Sequence, residues 1–118
     1  LATMSADRFR RTALSLPEVI EGAHHGTVDF RVGKRIFATL GYPDRDWGMV
    51  KLTPEQQAVV VEAEPEIFRP VPGGWGKSGS TNVRLAKANQ LTLRSALTMA
   101  RDNIAAKPAK KARAKKPA

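Results

Sequence analysis

Four groups of residues have types and spacing that could do chemistry: Gly76-Lys77-Ser78, the His24-His25 pair, Asp29 near those histidines, and a set of lysines and arginines that thickens towards the C-terminus. Gly76-Lys77-Ser78 has the ending of a phosphate-cradling loop. The first glycine of that pattern would fall at position 71, which is Val71, and the stretch leads into a predicted strand instead of opening a helix onto phosphate. Nucleoside triphosphate binding is set aside on both counts, leaving Pro72 to Gly79 as a flexible connection between strands. His24 and His25 are the only histidines; in an extended chain adjacent side chains point in opposite directions, so the two do not chelate one ion, and no third ligand accompanies them. They read as a turn-region pair packing on or capping a hairpin. Asp29 next to His25 is the one acid–base pairing available, and Asp29 reads as the exposed face of a strand. The absence of cysteine removes disulfides, thiolate metal centres and cysteine nucleophiles. No catalytic residue, metal ligand or cofactor is assigned, and a non-enzymatic protein is expected.

What remains is positive charge. Lys and Arg number 20 against 11 Asp and Glu, a formal charge of +9 in 118 residues. Residues 107–118, KPAKKARAKKPA, hold Lys107, Lys110, Lys111, Arg113, Lys115 and Lys116 with no acid, leaving 14 basic and 11 acidic side chains in the first 106 residues. An acid-free basic run displaces counterions from a nucleic acid without reading its sequence. In the body, Arg31, Lys34 and Arg35 cluster around a tight turn as the tip of a wing that would contact phosphate. Lys51, Lys77, Arg84 and Lys87 are further candidates; the alternative for each is an ordinary solvated surface charge. Trp75 either stacks on a base or folds over the sheet edge as core, and its large aromatic area favours the core.

The elements that must position these residues follow from periodicity and capping signals. Ser5 caps a first helix carrying Phe9, Ala13 and Leu16 and ending at Pro17. After a connection at Gly22 to Gly26, Val28, Phe30 and Val32 alternate with Asp29 and Arg31 as a half-buried strand does. Gly33-Lys34 forms a hairpin turn into Arg35 to Leu40, and Gly48 to Leu52 makes a third strand. Thr53-Pro54-Glu55-Gln56 is a capping box with proline at the first helical position, so a second helix starts at Pro54 and ends before Pro65. An extended piece at Ile67 to Val71 and a strand at Thr81 to Leu85 precede a last helix from Gln90 to Ala105, with Leu93, Leu97, Ala100 and Ile104 on one stripe and Pro108 as its stop. The expected architecture is a two-layer α+β domain, helix, three strands, helix, two strands, helix, with an antiparallel sheet covered on one face over residues 1–106 and a disordered basic tail at 107–118. No apolar run approaches the ~20 residues that span a bilayer, so no membrane partner is expected, and a cytoplasmic monomer is the reading.

Three stretches carry a resemblance. HHGTVDFRVGKRIFATL at His24 to Leu40, FRPVPGGWGKSGSTNVRL at Phe68 to Leu85 and TLRSAL at Thr92 to Leu97 resemble, in that order, the signatures of the MmcQ/YjbR family, over roughly residues 5–106. The resemblance implies a compact α+β fold related to secretion-chaperone-like and frataxin-like architectures, and DNA binding. It departs from relatives at Ser80, where an aromatic residue is usual, and it supplies no catalytic residue. Arg8, Arg10 and Arg11 against a lone Asp7 in the first helix argue against an iron site on an acidic helix face. The expected function is therefore DNA binding, with the tail giving sequence-independent affinity and association with the nucleoid. The alternative is a chaperone-like protein-interaction module with a solubilising tail.

Overall fold

The computed structural model describes residues 5–115, with side chains through Ala105. Its elements are α1 (Ala6–Leu14), β1 (Val19–His24), β2 (Thr27–Val32), β3 (Arg35–Leu40), β4 (Trp47–Lys51), α2 (Pro54–Ala63), β5 (Phe68–Pro70), α3 (Gly74–Lys77), β6 (Ser80–Arg84), a single 3-10 turn at Leu85–Lys87, and α4 (Gln90–Lys115). The six strands form one antiparallel sheet in the order β1-β2-β3-β4-β6-β5. The α+β class, the antiparallel sheet and the two-layer arrangement agree with the sequence reading.

Two elements were not expected. Val19–His24 is an edge strand paired with β2 from Val19↔Val32 to His24↔Thr27, and His25-Gly26 is its turn, with φ of 48° and 78°. Positive φ at both central residues is what a tight hairpin with the native strand twist demands. The segment lacks strand periodicity because only its inner neighbour gives it a partner, and Gly22 interrupts it. The second surprise is α3, one helical turn inside the glycine-rich stretch. That stretch is a built structure and not a flexible connection: a Cβ on Gly76 would lie 1.7 Å from the Val71 carbonyl oxygen, so the two backbones touch there and only glycine fits. Gln57 of α2 donates from Nε2 to the carbonyl oxygens of Gly76 and Ser80, each at 3.0 Å, and thereby ties α2, α3 and β6 together.

The core lies between the sheet and a layer made of α1, α2 and α4. Phe9 and Ala13 of α1 and Leu93, Leu97, Ala100 and Ile104 of α4 meet Phe30, Phe37, Ala38, Val50 and Val83 of the sheet, all buried. At the β2–β3 pairing, Phe30 faces Ala38 while Arg31 faces Ile36, so Phe37 is the extra residue of a bulge. That places two successive side chains, Phe37 and Ala38, in the core. α4 continues to Lys115, through Pro108 where the sequence predicts a stop. Alanines and lysines on both sides, strong helix formers, carry the helix past the one donor that proline lacks.

The start of α2 is capped as expected. Thr53 Oγ1 accepts from the Gln56 amide at 3.1 Å, and Gln56 Oε1 accepts from the Thr53 amide at 3.0 Å. Gln56 Oε1 also receives Asn103 Nδ2 at 2.8 Å, so the cap is coupled to α4. Thr53→Ala is expected to cost about 1 kcal/mol, read as a lowered denaturation midpoint; an unchanged midpoint would mean that the hydroxyl is replaced by water at no cost.

Candidate nucleic-acid interface

Strand alternation sends Phe30, Ala38, Val50 and Val83 to the helical layer and leaves a second, uncovered sheet face. A single line of cross-strand neighbours crosses all six strands of that face: Gly22, Asp29, Thr39, Met49, Asn82 and Arg69. The chemistry-bearing residues divide between the two ends of this line and a third cluster where the sheet meets α3 and α4.

At the β1–β2 end stands Asp29, fully buried although it is on the uncovered face. This corrects its reading as an exposed strand residue. Arg31 Nε donates to Asp29 Oδ1 at 2.6 Å and Arg31 Nη2 to Oδ2 at 3.0 Å, a forked pair. His24 Nδ1 lies 2.7 Å from the same Oδ2, so the histidine that meets Asp29 is His24 and not His25. Gly22 explains how the pair fits: a Cβ there would sit 2.9 Å from Arg31 Nε and 3.0 Å from Asp29 Oδ1, so the missing side chain opposite Asp29 is the space the guanidinium occupies. The Arg31 hydrogen bond holds the Asp29 carboxyl below the usual carboxylate range against the opposing effect of burial, with His24 acting in the same sense as Arg31. The same pairing raises the Arg31 guanidinium above its ordinary value. Arg31 is thereby committed within the fold and does not join Lys34 and Arg35 as a wing tip; strand register sends Arg31 and Arg35 to opposite faces. Lys34 is exposed in the Gly33-Lys34 turn, as expected.

At the opposite end, Trp47 on β4 faces Arg84 on β6. The Arg84 guanidinium lies 5.2 Å from the Trp47 ring centroid and that of Arg69, from β5, 4.6 Å from it. Among the sequence candidates Arg84 belongs to this cluster, and Lys87 lines the cavity beside it. Trp47 and Arg69 are joined to it by the β4-β6-β5 order, a long-range pairing that local periodicity does not reveal.

The third cluster gathers residues far apart in the chain. Arg35, Ile36, Lys51, Trp75, Ser78, Ser80 and Asn103 are among the residues lining a cavity of about 650 Å³. Trp75 is 68% exposed, which corrects its placement in the core, and Lys51 Nζ lies 5.7 Å from its ring centroid. The indole stands outside because α3 is only one turn long and rests on Gly76, its small side, leaving Trp75 facing outward. Lys77 is exposed on the same turn. The side chains of Lys107, Lys110, Lys111, Arg113 and Lys115 lie outside the described residues, as does Lys116 entirely. Among the described residues no group of three or more His, Cys, Asp or Glu is placed to hold a metal ion, and no helix is long and apolar enough to cross a membrane.

Fold and surface together define a two-layer α+β domain whose uncovered sheet face and sheet end carry arginine, lysine and tryptophan clusters. The YjbR family model matches residues 14–103, and the chain belongs to that family. No curated protein matches it. Among solved structures it is similar to the crystal structure of Deinococcus radiodurans protein DR2400, of the domain family DUF419, with a TM-score of 0.68 and 20% identity over 83% of this chain and 76% of that one. At that identity the likeness concerns the fold.

The Asp29 pair generates a pH dependence. A carboxyl whose pKa is lowered on folding contributes stability that is complete above its unfolded value, about 3.9, and lost as pH falls through the folded value. Asp29→Asn is therefore expected to be less stable at neutral pH by about 1–3 kcal/mol, the cost of breaking a buried hydrogen-bonded pair, and to lose less on acidification from pH 5 to pH 2, flanking the range about that unfolded value. Thermal melts at stepped pH read both; identical slopes for variant and parent would show that Asp29 carries no linked proton.

Proposed function

We propose that this protein binds DNA through the sheet end that holds Lys34, Arg35, Lys51, Trp75 and Lys77, with the basic segment 107–118 adding affinity independent of sequence. The observation that carries this reading is the convergence of Arg35, Lys51 and Trp75 on one cavity that Asp102, Asn103 and Ile104 of α4 also line. α4 then continues directly into the segment that holds six cations and no acid. Cations beside an exposed indole suit a nucleic acid in two ways: phosphates are neutralised with release of counterions, and a base can stack on the ring. The resemblance to a family associated with DNA binding points the same way. Arg31 has no part in this reading, since its guanidinium is spent on Asp29.

An observation also favours the protein-interaction alternative. Val59 and Leu91 are exposed, and they line a groove of about 270 Å³ between α2 and α4 together with Phe68 and Met99. This groove is mostly apolar, with Glu64, Thr92 and Ser95 as its polar lining, and shares no lining residue with the cavity at the cationic sheet end.

A salt titration of duplex and single-stranded DNA binding, run on the full chain and on residues 1–106, separates tail from body. Removing six cations is expected to reduce the slope of log K against log salt by at most about 5 on duplex, from ~0.9 per neutralised phosphate. Residues 1–106 are expected to retain weak binding at low salt that Lys51→Ala with Trp75→Ala abolishes, while Arg31→Ala leaves the affinity of the folded fraction unchanged. No binding by folded residues 1–106 at any salt would reduce the DNA reading to the tail and leave the domain to the groove between α2 and α4.

A further inference from the structure

We propose that Trp47, Arg69, Arg84 and Lys87 form a phosphoryl-binding site on the uncovered sheet face, separate from the sheet end of Trp75 and independent of the DNA reading. The two guanidiniums lie 4.6 and 5.2 Å from one ring centroid and both line the same cavity, so a single indole gathers two like charges at one site. Neither arginine has a carboxylate within ion-pair distance among the described residues. Arg10, Arg11, Arg31 and Arg101 are each paired with an acid; among the remaining described arginines, Arg69 and Arg84 are the two that share an aromatic ring. The ring attracts the cations but does not neutralise them, so their charge remains for an anion to meet. The residues around them shape a receptacle: Trp47, Pro65, Glu66, Phe68, Arg69, Arg84 and Lys87 are among those lining a cavity of about 150 Å³.

Size and charge together select the ligand class. Three cations against the single carboxylate of Glu66 favour an anion of more than one negative charge, and a cavity of about 150 Å³ suits a phosphoryl group better than a whole nucleotide. Two planar guanidiniums offer forked donors that match phosphate oxygens. The strand pairing Trp47↔Arg84 and the Arg84 amide donating to the Ile67 carbonyl at 2.8 Å fix the backbone positions from which the cluster's side chains project. The phosphoryl group could come from a free phosphorylated small molecule or from a nucleic-acid backbone crossing the sheet face, and the experiment separates them.

Trp47 and Trp75 are the only tryptophans, so Trp75→Phe leaves Trp47 as the sole indole reporter. In that full-length variant, Trp47 emission is followed at low salt against inorganic pyrophosphate, against a short duplex DNA, and against potassium chloride at matched ionic strength. A saturable change with pyrophosphate that chloride does not reproduce is expected, weakened by about tenfold or more in Arg69→Gln with Arg84→Gln, as loss of charge-assisted hydrogen bonds implies. Arg69→Lys with Arg84→Lys retains the charge without the fork and is expected to fall between the two. Saturation with DNA alone, equally sensitive to the arginine substitutions, supports the site and assigns its phosphate to a nucleic-acid backbone. Emission that follows ionic strength alone, or saturation unaffected by the double substitution in a variant with an unchanged melting temperature, overturns the proposal. Failure of DNA binding at Trp75 leaves the pyrophosphate result standing.

Discussion

A carboxylate on a sheet face that no helix covers would normally be solvated; Asp29 is instead fully enclosed, and its two oxygens are taken by Arg31 and His24. A buried charge of this kind is tolerated only when paired and hydrogen-bonded. The requirement reaches through the sheet: β1 must pair with β2 to bring His24 alongside, and position 22 must lack a side chain so that the guanidinium can lie across it. One arginine and one histidine are thereby engaged by Asp29, although His24 stays exposed. The other cations of interest lie elsewhere, with Arg69 and Arg84 on Trp47 and with Arg35 and Lys51 beside the cavity that Trp75 lines.

Each of the two tryptophans organises positive charge, by different means. Trp47 sits in a strand, and its neighbours come from register across β4, β6 and β5, so their backbone positions are set by the sheet. Trp75 sits on one helical turn anchored through Gly76 against Val71 and through Gln57, so its position is set by backbone contact and a single amide side chain. The helical layer supports both from behind: Thr81 and Val83 of β6 are buried while their neighbour Arg84 is exposed on the other side.

Local signals made much of this legible from residues alone. The α2 capping box, the Gly33-Lys34 turn and the α4 stripe depend on contacts within a few positions, and each is present as read. The edge strand β1 was hidden because Ile20 and Gly22 break alternation and its pairing partner alone defines it. Asp29 was misplaced for a related reason: strand period gives the face but not what covers it, and here the cover is a side chain from its own strand and another from β1. Arg69 and Trp47 were missed because their contact crosses a strand inserted out of sequence order. Trp75 was misjudged because aromatic area argues for burial only where the fold offers a surface to bury it on, and the one-turn α3 offers none.

The central claim is that the fold divides its cations into a structural set at Asp29 and binding sets at the two tryptophans. Backbone and side-chain NMR shifts of the full chain, followed as a short duplex DNA is titrated in, test it directly. The account predicts shifts at Trp75 and its indole N–H, Lys51, Arg35 and Lys77, with Asp29, Arg31 and Gly22 unmoved. Shifts confined to residues beyond 106, or centred on Asp29 and Arg31, would contradict it.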